Sequence, residues 1–474
     1  MRNNNRWWAL FILCFGVLMI VLDTTIVNIA LPSIKTDLGF SESSLVWVLN
    51  AYLLTFGGFL LLSGRLGDLF GQRKLFMIGI VIFTLASLAC GIANSQALLV
   101  VARAVQGLGG AVVTAVALSL IINLFPEPAE RAKAMGVYSF VAAAGGSVGL
   151  LLGGLLTNAY DWHWNFLVNI PVGIVVVVLS WKFVPATRSL VEHRHLDIWG
   201  AITVTTALLL AVYAIVGGNQ VGWGSVQTLV LLGSALALLG LFVWIETKVR
   251  VPLVPLSLFK LRNVLTANTM AVFWAAAMFA WFFLSALYLQ LVLQYNPLQV
   301  GLAFLPGNVI MAMFSLGLSA KIVTRFGILK PLGVGLSLAA IALLYLSRAP
   351  IDGTYVIDVL PSMVLLGLGA GMAFNPMLLA AMNDVPLDES GLSSGLVNTS
   401  FMMGGALGLA VLASLATAKT SALLAIGTEP VVALNSGYHT AFMVGAAFAA
   451  GAAALGFLFI RVKNFNAGHT PHSH

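Results

Sequence analysis

Charge is what this sequence has least of. Asp, Glu, Lys and Arg together make up 8% of its 474 residues, against about 25% in soluble domains. With 60% hydrophobic residues and a mean hydropathy of +1.01, the chain cannot present a water-facing surface on all sides, which excludes an ordinary soluble enzyme or binding module. Alternating apolar segments of barrel type are absent; the apolar runs are near helix length, so a β-barrel is excluded too. Cysteine is scarce. Cys14 and Cys90 both lie in apolar runs, which reads as two buried thiols rather than a disulfide framework. No nucleotide-binding loop is found. Gly107-Leu108-Gly109-Gly110 follows no strand and sits inside an apolar run, so it is no phosphate cradle, and direct ATP use by this chain is not expected. The first apolar run, from Trp7, has a polar centre and no small-residue cleavage site. It reads as a first span, not a cleaved signal.

What the chain does have is a series of fourteen apolar segments. They run approximately over 7–31, 45–65, 74–93, 97–125, 132–159, 164–184, 196–217, 226–246, 264–294, 297–321, 327–347, 356–381, 391–420 and 437–461. An even number puts both termini on one side. If that side is the cytoplasm, the 23 Lys and Arg all fall in cytoplasmic segments except Lys35, Arg348, Lys419 and the intramembrane Arg103. Such a bias supports both the orientation and the helix count. It also accounts for the net charge of +7 without a nucleic-acid partner.

An internal repeat divides the series. Gly136, Gly145, Gly146 and Gly149 recur as Gly395, Gly404, Gly405 and Gly408 at an offset of 259, and Gly107-Leu108-Gly109 recurs as Gly367-Leu368-Gly369 at 260. The surplus between the copies holds two unpartnered segments. The expected fold is therefore an all-α polytopic membrane protein of six plus two plus six helices. Its boundaries are 1–190 for the first half, 191–255 for the inserted pair, and 256–474 for the second half with a disordered tail. Two parallel six-helix halves with a site between them is a transporter plan. The three histidines of the tail, His469, His472 and His474, read as a solvated end rather than a metal site.

One acid and one base lie well inside spans: Asp23 in segment one and Arg103 in segment four. An intramembrane charge is a functional hypothesis by default. Counted from the outer ends of their segments, they lie about 12 Å and 9 Å deep. They share a level and can pair. The pair could be a static staple between two helices. It could equally be a proton site, because burial and a neighbouring guanidinium act on a carboxyl group in opposite senses, and a group set between them can change charge. Other polar or aromatic residues within spans, Asn50, Tyr52, Gln106, Tyr138, Trp274, Trp281, Gln290, Asn308, Asn375 and Asn398, suit a large and mostly apolar cavity with a few polar anchors. Singly, each fits an interhelical hydrogen bond as well. The second half has no mid-span acid, so a cavity specialised for dications is not expected.

Between segments two and three stands Gly64-Arg65-Leu66-Gly67-Asp68-Leu69-Phe70-Gly71-Gln72-Arg73-Lys74. It reads as a short polar loop between two membrane helices. A basic topology signal would explain Arg65, Arg73 and Lys74, but not Asp68 or the glycine spacing. The pattern resembles the loop 2–3 signature of the major facilitator superfamily. Leu22-Asp23-Thr24-Thr25-Ile26-Val27-Asn28-Ile29-Ala30-Leu31-Pro32 resembles the first-helix signature of its fourteen-helix drug:proton antiporter branch, and Arg103 with Gln106-Gly107 resembles the fourth-helix motif. Gly145-x-x-x-Gly149-Leu150-x-x-Gly153-Gly154 resembles the antiporter motif of helix five, with Leu150 where that motif usually has Pro, so the helix keeps a hydrogen bond and should kink less. Trp162 to Gly173 resembles the start of helix six.

The resemblance implies a non-enzymatic exporter in the cytoplasmic membrane. It would move lipophilic, often cationic compounds outward in exchange for protons, with no cofactor beyond the proton gradient and with a monomer as the working unit. It implies Asp23 as proton site with Arg103 as partner. It implies a latch of Gly64, Asp68, Gly71, Arg73, Lys74 and Arg131, in which Asp68 meets Arg131 and a helix end. Gly145, Gly149, Gly153 and Gly154 would pack a rigid central helix pair. An exporter of one specific metabolite or antibiotic fits the same machinery. A non-transporting receptor or scaffold is the other reading, against which the intact Asp23/Arg103 pair speaks.

Overall fold

The computed structural model describes residues 3–185, 197–250, 252–383, 385 and 390–461. The histidine tail lies outside them. Among the described residues, fourteen helices have 15 residues or more: α1 (Asn3–Leu38), α2 (Trp47–Phe70), α3 (Gln72–Gly91), α4 (Gln96–Leu124), α5 (Pro128–Ala159), α6 (Asn169–Phe183), α7 (Ile198–Val221), α8 (Val226–Lys248), α9 (Arg262–Leu287), α10 (Pro297–Met313), α11 (Leu329–Leu346), α12 (Leu360–Met382), α13 (Ser390–Ala425) and α14 (Pro430–Phe459). Each expected apolar segment coincides with one of them. Among the described residues, twelve stretches are long and apolar enough to cross a membrane, and two shorter apolar stretches, Val148–Ala159 and Pro297–Met313, lie in α5 and α10. The chain is a multi-pass membrane protein. Helices suit that setting because they satisfy every backbone group internally.

Local chemistry sets the helix starts. Ser95, Asp197 and Ser225 accept a backbone N–H three residues on, at the heads of α4, α7 and α8. Asn296 and Gln299 bond reciprocally at the head of α10. These caps satisfy donors that a helix leaves open. Pro stands in the first turn of α5, α10 and α14, where its missing N–H costs nothing.

The expected loop 64–74 is mostly helix. α2 continues to Phe70, α3 starts at Gln72, and Gly71 alone makes the joint at φ +93°. Only glycine takes that backbone region without strain. The polar residues stay helical because the helix still holds their backbone groups: Gly71 N–H donates to the Gly67 carbonyl at 3.1 Å.

Close approach at glycine orders the packing, and it occurs twice. A methyl built on Gly149 would lie 3.0 Å from the Leu22 carbonyl oxygen, and one on Gly153 2.7 Å from that of Ile26. So α5 lies directly on α1. In the second set, a methyl on Gly404 would lie 2.5 Å from the Val272 Cα, and Gly408 is pressed against Ala276, so α13 lies on α9. Gly109 seats α4 on α3 near Phe83, as Gly369 seats α12 on α11 near Gly335. Gly107 meets α2 at Tyr52, as Gly367 meets α10 at Gly307. Small residues permit the backbone contacts that hold helices together without water. Between the two sets, α5 packs on α10 and α2 on α13. α7 packs on α2 and α13, and α8 lies against α7.

Candidate functional site

Asp23 and Arg103 meet. The Arg103 Nη1 donates to Asp23 Oδ2 at 2.5 Å, and both side chains are fully buried. Around them, four side chains from four helices converge. Gln106 Nε2 donates to Asp23 Oδ1 at 2.7 Å and lies 2.8 Å from Ser87 Oγ. Asn169 Nδ2 donates to the same Oδ1 at 3.0 Å and to Ser87 Oγ at 2.9 Å. Arg103 Nε reaches the Val48 carbonyl at 2.9 Å, and Nη1 also reaches Gln106 Oε1 at 2.6 Å. The guanidinium carbon stands 4.4 Å over the Tyr52 ring. Arg103 Nη2 is buried without a hydrogen-bond partner.

The arrangement has a chemical consequence. Asp23 accepts three hydrogen bonds from side chains of α4 and α6, so its negative charge is well held. Protonating it would cancel the charge that balances Arg103, in a place with no water-exposed surface. Leaving a buried charge unpaired is costly. Neutralising either partner would therefore leave the other without its balancing charge. Gln106 bridges the pair, its amide oxygen accepting from Arg103 and its nitrogen donating to Asp23. The pairing follows from the two residues' equal depth in sequence. Ser87 and Asn169 were not singled out as site residues. Asn169 falls in the Trp162 to Gly173 stretch, which was a usable signal; Ser87 is one hydroxyl in an apolar run and gives none.

The proposed latch residues are spread over one end of the bundle. Gly64 lies within α2, and Gly71 is the α2–α3 joint. Arg73 Nη1 reaches the carbonyls of Val184 at 3.3 Å and Trp181 at 3.4 Å, past the last turn of α6. Lys74 is exposed. Arg131 donates to the carbonyls of Phe125 and Pro126, both at 3.0 Å, and so closes the end of α4. The side chain of Asp68 lies outside the described residues. Of the helix-five glycines, Gly145, Gly149 and Gly153 face α1, and Gly154 faces the head of α10 at Pro297. α5 runs unbroken through the buried Leu150.

The residues read as cavity anchors stand in different surroundings. Tyr52 and Gln106 belong to the charge cluster. Gln290 ties the end of α9 to the Ile29 carbonyl of α1 at 3.0 Å. Asn398 bonds back within its own helix to Ser394. Asn50, Trp274, Trp281 and Asn308 are buried and carry side-chain atoms without partners. Tyr138 is half-buried and Asn375 exposed. Two surface grooves, of about 510 and 440 Å³, are lined by none of these residues.

A family model for the Major Facilitator Superfamily matches residues 13–409. The chain belongs to that superfamily. It is 38% identical over 453 residues to the puromycin resistance protein pur8 of Streptomyces alboniger, covering 95% of this chain and 89% of that one. It is 36% identical to the cephamycin export protein CmcT of Amycolatopsis lactamdurans, covering 89% and 87%. The fold matches the crystal structure of a bacterial homologue of the human lysosomal transporter Spinster, with a TM-score of 0.69 at 16% identity over 97% of each chain. This major facilitator protein is thus a membrane transporter related to antibiotic resistance and export proteins, and not an enzyme.

Proposed function

We propose that this major facilitator protein exports lipophilic compounds, cations among them, in exchange for protons. Asp23 is the proton site and Arg103 the partner that must be re-paired when the proton binds. The observation that carries this reading is the fully buried Asp23–Arg103 pair, held by polar side chains on helices that would have to move together. In the same reading the chain has fourteen spans, as halves 1–190 and 256–474 with two inserted helices in 191–255. It works as a monomer in the cytoplasmic membrane, with both termini inside and the gradient as sole energy source. The halves rock about the site, and Asp68, Arg73, Lys74 and Arg131 latch one end.

A second reading has support of its own. Puromycin and cephamycin, in the names of two relatives, are single compounds, so the cargo here could be one antibiotic or metabolite moved by the same machinery. Inside-out vesicles with an imposed proton gradient test both. Wild type should accumulate a lipophilic cationic dye, whereas Asp23→Asn should bind the dye and not accumulate it. Equal accumulation by both would remove Asp23 from coupling. Accumulation of one neutral or anionic compound from a panel, with no dye uptake, would favour the narrow exporter.

A further inference from the structure

One groove on the surface of the bundle lies away from the Asp23–Arg103 site and shares Arg73 and Lys74 with the latch of that transport reading. It lies between α3 and α6, measures about 440 Å³, and has two cations at one end, Arg73 and Lys74. Its length is apolar: Ile78 and Val81 from α3 face Val177 and Trp181 from α6. Lys74, Ile78 and Val81 recur at helical spacing and so form one stripe. Its walls point away from the protein, for Val81 is 42% and Trp181 69% exposed. In a bilayer such a Trp belongs at the headgroup level, the level of the two cations beside it.

Lys74 makes no hydrogen bond or ion pair with a described residue, and Arg73 is in no described ion pair. The hydrogen bonds of Arg73 to Val184 and Trp181 carbonyls hold its guanidinium at the mouth of the groove, and a guanidinium keeps further N–H donors for a second acceptor. A water-soluble anion would use the cations and leave the apolar length empty. A neutral lipid would do the reverse. We propose that this groove is a binding site for one anionic phospholipid, its phosphate on Arg73 and Lys74 and one acyl chain along Ile78 and Val81.

Native mass spectrometry of the full-length protein in neutral detergent tests this, with phosphatidylglycerol and phosphatidylcholine supplied in equal amounts. Two juxtamembrane cations should favour retention of the anionic lipid by about thirtyfold, and one by about fivefold. Arg73→Gln with Lys74→Gln should bring the two lipids to parity. Lys74→Gln alone, at an exposed position, should leave an intermediate preference. Val81→Trp, which fills the groove without touching a cation, should lower retention of both lipids. Equal retention by wild type, a preference that survives the double substitution, or unchanged retention in Val81→Trp would each overturn the site. So would displacement of the lipid by millimolar inorganic phosphate, since the acyl chain would then contribute nothing.

Discussion

Arg103 and Met363 hold equivalent places in two copies of one packing pattern. The offset of 260 that carries Gly107 and Gly109 onto Gly367 and Gly369 carries Arg103 onto Met363 and Gln106 onto Leu366. α1 and α9 align through the glycines that press on them, Gly149 on Leu22 and Gly408 on Ala276. That register sets Asp23 against the stretch Trp274–Ala277, all of it buried and apolar. The same backbone contacts are thus made once around an ion pair with its amides and once around Met363, Leu366 and alanines. The second set shows that this packing needs no charge. In the first set the charge is an added cost, because two ions must be stripped of water. A staple is a poor reason to keep it.

The comparison breaks most sharply if the first set is rewritten as the second. Asp23→Leu alone should destabilise the protein by about 3–5 kcal/mol, because Arg103 is left buried and unpaired. Adding Arg103→Met should recover most of that loss, leaving a fold near wild-type stability that does not couple protons to transport. Unfolding in detergent, followed by denaturant titration, reads the first quantity, and the vesicle assay reads the second. A double variant no more stable than the single one would mean that the ion pair is structural after all.

Glycine contacts should respond alike in both sets. Gly149→Val and Gly408→Val each drive a side chain into a facing helix, at Leu22 and Ala276, and overpacking of this kind costs about 1–3 kcal/mol. Gly146→Val is the control, since the nearest atom to a methyl there is a Thr25 carbon at 3.9 Å. Unequal losses at 149 and 408, beyond the scatter of the measurement, would show that the two copies only look alike. The same unfolding titration applies.

These two regions also show what the sequence discloses. Helix positions follow from apolar run length, and the repeat follows from glycine spacing, because backbone contact tolerates little else than glycine. The depth of Asp23 and Arg103 could be counted, so their meeting was legible. The joint at Gly71 was not: a run of polar residues reads as a loop, yet a helix at a membrane edge keeps its own hydrogen bonds whatever its side chains are. The bonding of the other amides within spans was not legible either. Asn398 bonds back to Ser394, and Gln290 crosses to Ile29, and composition does not say which way an amide turns.

Asn169 gives the smallest and most selective test. It donates to both Asp23 Oδ1 and Ser87 Oγ, at 3.0 and 2.9 Å, and so ties α6 to α1 and α3 at the buried charge. Hydrogen bonds to a charged acceptor contribute about 1.5–3 kcal/mol, and Asp23 keeps two other donors. Asn169→Ala should therefore cost about 1–2 kcal/mol of stability, less than either change above. Its effect on transport should exceed its effect on folding. With one donor fewer, α6 is no longer tied to the buried pair, and the helices that carry it lose their common anchor. Dye uptake in the vesicle assay should then fall by more than the loss of folded protein accounts for. If uptake falls only in step with stability, Asn169 is packing, and the functional reading of Asp23 loses a support that the Met363 region, with no charge to hold, could never have offered.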